Sequence, residues 1–150
     1  TVIADDGCTI TAGAGVILAR LVNETFTRSL TGLEFAVGIP GTVGGAVSMN
    51  AGTRDAWIGS LVSDVVTFKE GQGIKHYAHG DIDWEYRHCS LPRDEIVLEA
   101  TLKLESGNKA EIRAKMEQLL SRRRRTQPIG CATCGSVFKN PPGNSVGKID

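Results

Sequence analysis

Residues 32 to 52 read GLEFAVGIPGTVGGAVSMNAG, with six glycines and one proline in 21 positions. A regular helix does not tolerate that density, since each interior glycine costs about 1 kcal/mol relative to alanine. The segment must be built mostly of turns, where glycine supplies positive φ and allows close backbone approach. One short helical turn is expected, around residues 43 to 50. The whole chain holds 18 glycines but only 5 prolines, with no Gly-X-Y period, which excludes collagen and proline-rich linkers. The fold must therefore hold a long glycine loop between more regular elements.

Those elements are legible from periodicity. Cys8 to Ala12 reads as a strand ending in Gly13-Ala14-Gly15. Val16 to Leu30 reads as a helix, with Leu18, Leu21, Val22 and Phe26 on one apolar face and Gly32 as its stop. After the loop, Val62 to Lys69 and Ile74 to Ala78 read as strands joined at Gly71-Gln72-Gly73. Ile96, Leu98, Ala100, Leu102 and Leu104 alternate with polar or outward residues, which predicts a half-buried strand. Asn108, with Glu111 three residues on, opens a second helix in the manner of a capping box. Ile112, Met116, Leu119 and Leu120 form its buried face, and it ends before Pro128. Residues 129 to 150 are glycine- and proline-rich. Strand, helix, loop, strands and helix in this order give an α+β chain rather than regular βαβ alternation.

The 150 residues carry 17 basic and 17 acidic side chains, so the formal net charge is zero. That disfavours a dedicated nucleic-acid or membrane-surface binder. Hydrophobic content of 41% and charged content of 23% are ordinary for a globular domain. No apolar run approaches the ~20 residues of a membrane span. The first residues lack the basic and apolar regions of a secretory signal, so a cytoplasmic protein is expected, with Cys8, Cys89, Cys131 and Cys134 as reduced thiols. The start has no initiator Met and the end has no capping composition, so both ends read as cut.

Three motifs have plain readings. Gly13-Ala14-Gly15 lies between a strand and a helix, but a dinucleotide fingerprint needs a small residue where Leu18 stands. Cys131 and Cys134 have the spacing of a metal pair without a second close pair, so no metal is expected. Arg122 to Arg125 closes a helix, where positive charge is favourable against the macrodipole.

Three others carry chemistry. Gly38, Ile39, Pro40, Gly41, Thr42, Gly44 and Gly45, continuing to Asn50 and Gly52, suit a rigid loop against a ligand. It is not a phosphate-binding P-loop, because no Gly-Lys-Ser/Thr follows. Tyr86-Arg87 with Ser90 follows a hairpin, and arginine's fork suits a carboxylate or phosphate. Gly135-Ser136-Val137-Phe138-Lys139-Asn140-Pro141 gathers a hydroxyl, an ammonium and an amide on one turn.

Taken together, Gly32-Leu33-Glu34-Phe35 with Gly38 to Asn50, then Tyr86-Arg87-x-x-Ser90, then Gln127-Pro128 and Cys134 to Pro141, closely resemble the UDP-N-acetylenolpyruvoylglucosamine reductase family. Gly147-Lys148-Ile149-Asp150 is similar to the start of that family's next segment. The resemblance implies the second lobe of a two-lobed FAD-binding domain of vanillyl-alcohol-oxidase (PCMH) type, with a mixed or antiparallel sheet and flanking helices. Residues 1–128 would be that lobe and 129–150 the start of the substrate-binding region. It implies FAD as cofactor, NADPH as reductant and UDP-N-acetylglucosamine enolpyruvate as substrate, in peptidoglycan precursor synthesis. By the same resemblance, Arg87 stabilises negative charge on the substrate and Ser136 supplies a proton. Tyr86, Arg87, Lys139 and Asn140 bind substrate, and the loop from Gly38 to Gly52 lies against FAD. The family's Gly-Gly-Ser-Asn-type pyrophosphate loop and its catalytic glutamate have no counterpart in these 150 residues, so the chain alone is expected to be inactive. Another flavin enzyme of the same fold, or a non-enzymatic anion-binding module, are the alternatives.

Overall fold

The computed structural model describes residues 2–3, 7–128, 130–132, 135–143 and 146. In chain order the elements are β1 (Val2–Ile3), β2 (Thr9–Gly13), α1 (Leu18–Thr27), β3 (Leu30–Thr31), a 3-10 turn at Glu34–Ala36, and α2 (Val43–Ser48). A 3-10 turn at Ile58–Ser60 precedes β4 (Val62–Lys69) and β5 (Gly73–Ala78); another at His79–Asp81 precedes β6 (Trp84–Glu85), β7 (His88–Cys89), β8 (Ile96–Lys103), β9 (Glu105–Ser106) and α3 (Lys109–Thr126). The main sheet has the order β1-β2-β8-β4-β5, and every pairing in it is antiparallel. Two short pairs, β3 with β9 and β6 with β7, complete the strands. The expected α+β class with helices beside an antiparallel sheet is what forms.

One sheet face makes the core. Ile10, Ala12, Val65, Thr67, Ala100 and Leu102 are fully buried there, with Leu18 and Leu21 of α1 and Val43 and Val47 of α2. The alternation read along β8 fails at its start. Val66 pairs with Glu99 but Thr67 pairs with Val97, so Leu98 is an extra residue. This bulge reverses the parity of the strand. Val97 takes the core side, while Ile96, paired to Phe68, is 64% exposed.

The first helix also differs from its expectation. It ends at Thr27, not Leu30, because Ser29 takes the left-handed conformation (φ 57°) and Leu30 pairs with Ser106 in β3–β9. Gly32 is not the stop; a side chain there would press on Leu61 and Leu104. Phe26 is only half-buried, beneath the cations of Lys109 and Arg113 at 5.2 and 5.4 Å. Thr25 is buried in its place and donates its hydroxyl to Val22 O at 2.8 Å. Asn108 caps α3 as expected, accepting from the amides of Ala110 and Glu111. Of the face read for α3 only Ile112 is fully buried; Met116, Leu119 and Leu120 pack at the margin of the core.

Helix α3 is tied to the glycine segment by a buried carboxylate. Glu34 accepts from the Thr31 hydroxyl at 2.5 Å and the Gly32 amide at 2.8 Å, and pairs with Lys115 at 3.5 Å. Burial raises its pKa, but these hydrogen bonds and the Lys115 charge outweigh that, and the net direction is down. A carboxylate depressed in the folded state stabilises above its unfolded pKa and loses that contribution as pH falls through its folded value. Chemical denaturation between pH 7 and pH 3 is therefore expected to show acid loss beginning below about pH 4.5. Glu34→Gln should shrink that loss, and an unchanged profile would exclude the carboxylate as its source.

Candidate functional site

The glycine loop is clamped to the turn that follows β2. Gly44 N–H donates to Ala14 O at 2.9 Å, Val43 N–H to Val16 O at 2.9 Å, and Leu18 N–H to Gly41 O at 2.9 Å. A β-carbon on Gly44 would stand 2.7 Å from that of Ala14, so this glycine serves backbone packing. Gly13-Ala14-Gly15 is thus a brace for the loop and not a dinucleotide turn. Gly38 adopts φ +74°, and a side chain there would meet Arg123 and Leu120 at 3.1 Å. The Arg123 stem is therefore docked against the loop, while Arg122, Arg124 and Arg125 are exposed at the helix end.

The other side of the loop is open. Gly41 has φ +114° with nothing within 4 Å of its missing side chain, and Pro40, Thr42 and Gly45 are exposed. Thr42 caps α2, accepting from Gly45 N–H at 3.3 Å. Ile39 is half-buried, its amide donating to Ala36 O at 3.0 Å. Ile17, bridged to Thr42, is 61% exposed, and Met49, whose amide donates to Gly45 O at 3.1 Å, is 47% exposed. Exposed apolar side chains beside bare backbone suit a flat, partly apolar ligand.

Asn50 and Gly52 do a different job from the open glycines. Asn50 is buried at φ +46°; its Nδ2 donates to Glu85 O at 2.8 Å and its Oδ1 accepts from Gly59 N–H at 3.0 Å. Its side chain is committed inside the protein rather than offered to a cofactor. Gly52 is bridged to Trp57, and a β-carbon on it would lie 2.4 Å from Ala56 O. It is glycine because backbone passes close to it.

Arg87 lies at the corner of the β6–β7 hairpin with φ +54°, a conformation few L-residues adopt. Its Nη2 donates to Gly52 O at 2.7 Å and its guanidinium covers the Tyr86 ring at 5.0 Å. One N–H is thus used to fix the arginine, leaving other donors of the fork for a ligand. Asn140 Nδ2 donates to the Tyr86 hydroxyl at 3.3 Å, and Asn140 Oδ1 accepts from Val146 N–H at 3.0 Å. Asn140, 54 residues beyond Tyr86 in sequence, is therefore brought to the Tyr86–Arg87 corner. Ser136 and Lys139 are exposed on the same segment as Asn140, and the Ser90 hydroxyl accepts from Asp83 N–H at 2.8 Å. Cys89 is buried and donates to Ser48 O at 3.4 Å; burial pushes its thiol pKa up. Cys89 and Cys131 form no disulfide among the described residues, which also contain no metal-binding cluster; Cys134 lies outside them.

Residues 1–69 match the FAD binding domain family. The chain is 41% identical over 145 residues to a UDP-N-acetylenolpyruvoylglucosamine reductase of Pediococcus pentosaceus, covering 96% of this chain and 48% of that protein. A protein of the same name from Caldanaerobacter subterraneus subsp. tengcongensis is also 41% identical over 145 residues, with the same coverage. The crystal structure of UDP-N-acetylenolpyruvylglucosamine reductase from Thermus caldophilus superposes with a TM-score of 0.80 at 38% identity, covering 92% of this chain and 51% of that one. The chain is similar, as a part to the whole, to the UDP-N-acetylenolpyruvoylglucosamine reductases. It spans about half the length of the curated relatives it matches.

Within this fold, the structure places the expected residues in two groups. Gly41, Thr42 and Gly45 present the open face of the loop, and Tyr86, Arg87 and Asn140 form a second cluster joined to it through Gly52 O. The first group is compatible with FAD on an observation of this chain: Gly41, Thr42 and Gly45 are exposed, and the exposed apolar residues Ile17 and Met49 are joined through backbone to Thr42 and Gly45. The role of Asn50 as a link between loop and hairpin was not legible, although a polar residue forced into positive φ after a short helix is a signal for local hydrogen bonding. No described helix is long and apolar enough to cross a membrane.

Proposed function

We propose that these 150 residues supply the loop wall and the arginine of an FAD-dependent reductase acting on UDP-N-acetylglucosamine enolpyruvate. The observation that carries this reading is Arg87, held by Gly52 O on a strained corner, beside Tyr86 and Asn140. FAD, when bound, would supply the hydride chemistry, with NADPH as the source of hydride and the enolpyruvyl double bond as its acceptor. The open faces of Gly41, Thr42 and Gly45 would hold the cofactor, with Gly38, Ile39, Pro40 and Gly44 shaping the loop. Negative charge then develops toward the substrate carboxylate, where the free donors of Arg87 stabilise it. Ser136 supplies the proton at the adjacent carbon. A hydroxyl is a weak acid, so this step needs the serine held in line and water excluded. Lys139 and Asn140 bind the substrate on the same segment, and Tyr86 lines it. On this reading residues 1–128 are a lobe of the cofactor domain, 129–150 open the substrate-binding region, and the reaction serves cytoplasmic peptidoglycan precursor synthesis.

Titrating FAD into the purified chain tests the division of labour. Weak binding without NADPH-driven flavin reduction is expected, while the chain expressed with the sequence that flanks it in its gene should consume NADPH when given the enolpyruvyl sugar. Tight one-to-one binding and flavin reduction by the 150 residues alone would overturn the half-site reading.

A further inference from the structure

The β6–β7 hairpin that carries Arg87 has only two residue pairs, Trp84 with Cys89 and Glu85 with His88. A pair of strands this short is marginal by itself. Its position therefore depends on what grips it from outside. Among the described residues Asn140 holds the Tyr86 hydroxyl, and three further hydrogen bonds come from the stretch between Ser48, the last residue of α2, and Gly52. Ser48 O accepts from the Cys89 thiol, Asn50 Nδ2 donates to Glu85 O, and Gly52 O accepts from Arg87. Only the middle one also reaches a third element, through Gly59 N–H at the Ile58–Ser60 turn. Gly59 is itself the floor on which the Trp84 ring rests, since a β-carbon there would stand 2.4 Å from that ring.

We infer that Asn50 is a positioning residue for Arg87: its amide bridges the Ile58–Ser60 turn to the residue next to the Tyr86–Arg87 corner and sets where the guanidinium stands. The inference rests on the role proposed for Arg87. The chemistry of the position selects asparagine closely. It must tolerate φ +46° and carry one donor and one acceptor, and it is 2% exposed, so both must be satisfied. Aspartate keeps the acceptor and loses the donor; alanine loses both, leaving the buried Gly59 N–H without its acceptor and cutting the tie to Glu85 O.

Amide hydrogen exchange on the 150-residue chain reads the two bonds separately. Gly59 N–H reports the acceptor side directly, and Ser90 N–H, which donates to Asp83 O at 3.0 Å, reports the hairpin. Asn50→Ala is expected to speed exchange at both by about 10- to 100-fold, with the β2–β8 amides unchanged. Asn50→Asp at pH 8 should free Ser90 while Gly59 stays protected, which keeps the test readable if the alanine variant does not fold. In the chain expressed with its gene-flanking sequence, Asn50→Ala should lower kcat about 10- to 100-fold while the KM for NADPH holds. Unchanged Ser90 exchange in both variants overturns the proposal. So does a loosened hairpin with normal kcat where Arg87→Ala abolishes turnover. If Arg87→Ala itself leaves turnover intact, the role of Arg87 is what fails, and with it the positioning role, whatever the exchange data show.

Discussion

Arg87→Ala, in the chain expressed with the sequence that flanks it in its gene, is expected to lower kcat by about 100- to 1,000-fold, the cost of removing one preorganised donor from a developing anion. The KM for the enolpyruvyl sugar should move less, because the interaction grows as charge develops toward the carboxylate. Arg87→Lys should fail nearly as badly. The guanidinium spends Nη2 on Gly52 O at 2.7 Å and still has donors left in a fixed plane. An ammonium on a flexible stem offers no planar fork with which to hold Gly52 O and a carboxylate together. Steady-state NADPH consumption measures both variants. A lysine variant with turnover within about threefold of the parent would mean that charge alone matters, and would remove the reason for the strained corner. Folding should be little affected, since Arg87 is only half-buried and its hydrogen bond is to a loop carbonyl.

What could be read beforehand was set by local physics. Periodicity placed β4, β5, α1 and α3 because each turns one face toward the core, fully in α1 and partly in β5 and α3, and shows it in spacing. Asn108 was legible as a cap because its side chain meets amides two and three residues on. The failures are all non-local. The bulge at Leu98 depends on how β8 meets β4 across some 30 residues, and nothing in IVLEATLK announces it. Leu30 leaves the helix to pair with Ser106, which no window around residue 30 contains. The glycine loop was legible as a candidate site but not its division of labour. Composition treats Gly41, Gly44 and Gly52 alike; the structure separates a positive φ facing open space from two close backbone approaches.

That separation yields the second large effect. Gly52→Ala is expected to lower Tm by about 3–10 °C, since a β-carbon there would lie 2.4 Å from Ala56 O and 2.5 Å from the Trp57 Cα, both backbone. The strand-like bridge to Trp57 must open, and Gly52 O moves with it, so the variant should also lose turnover by the same route as Arg87→Ala. Gly45→Ala supplies the contrast. Its new β-carbon would meet only Thr42 Oγ1 at 3.5 Å, and alanine favours helix α2, so stability should hold or rise by about 0.5–1 kcal/mol. If Gly45 is glycine for the cofactor's sake, that variant weakens FAD binding while folding normally. Thermal melts and FAD titrations on the two variants therefore sort the loop into glycines required by the chain itself and glycines required by its ligand. A Gly52→Ala chain melting with the parent would show that the backbone crowding at Ala56–Trp57 is relieved without cost, and the fixed carbonyl that holds Arg87 would lose its physical basis.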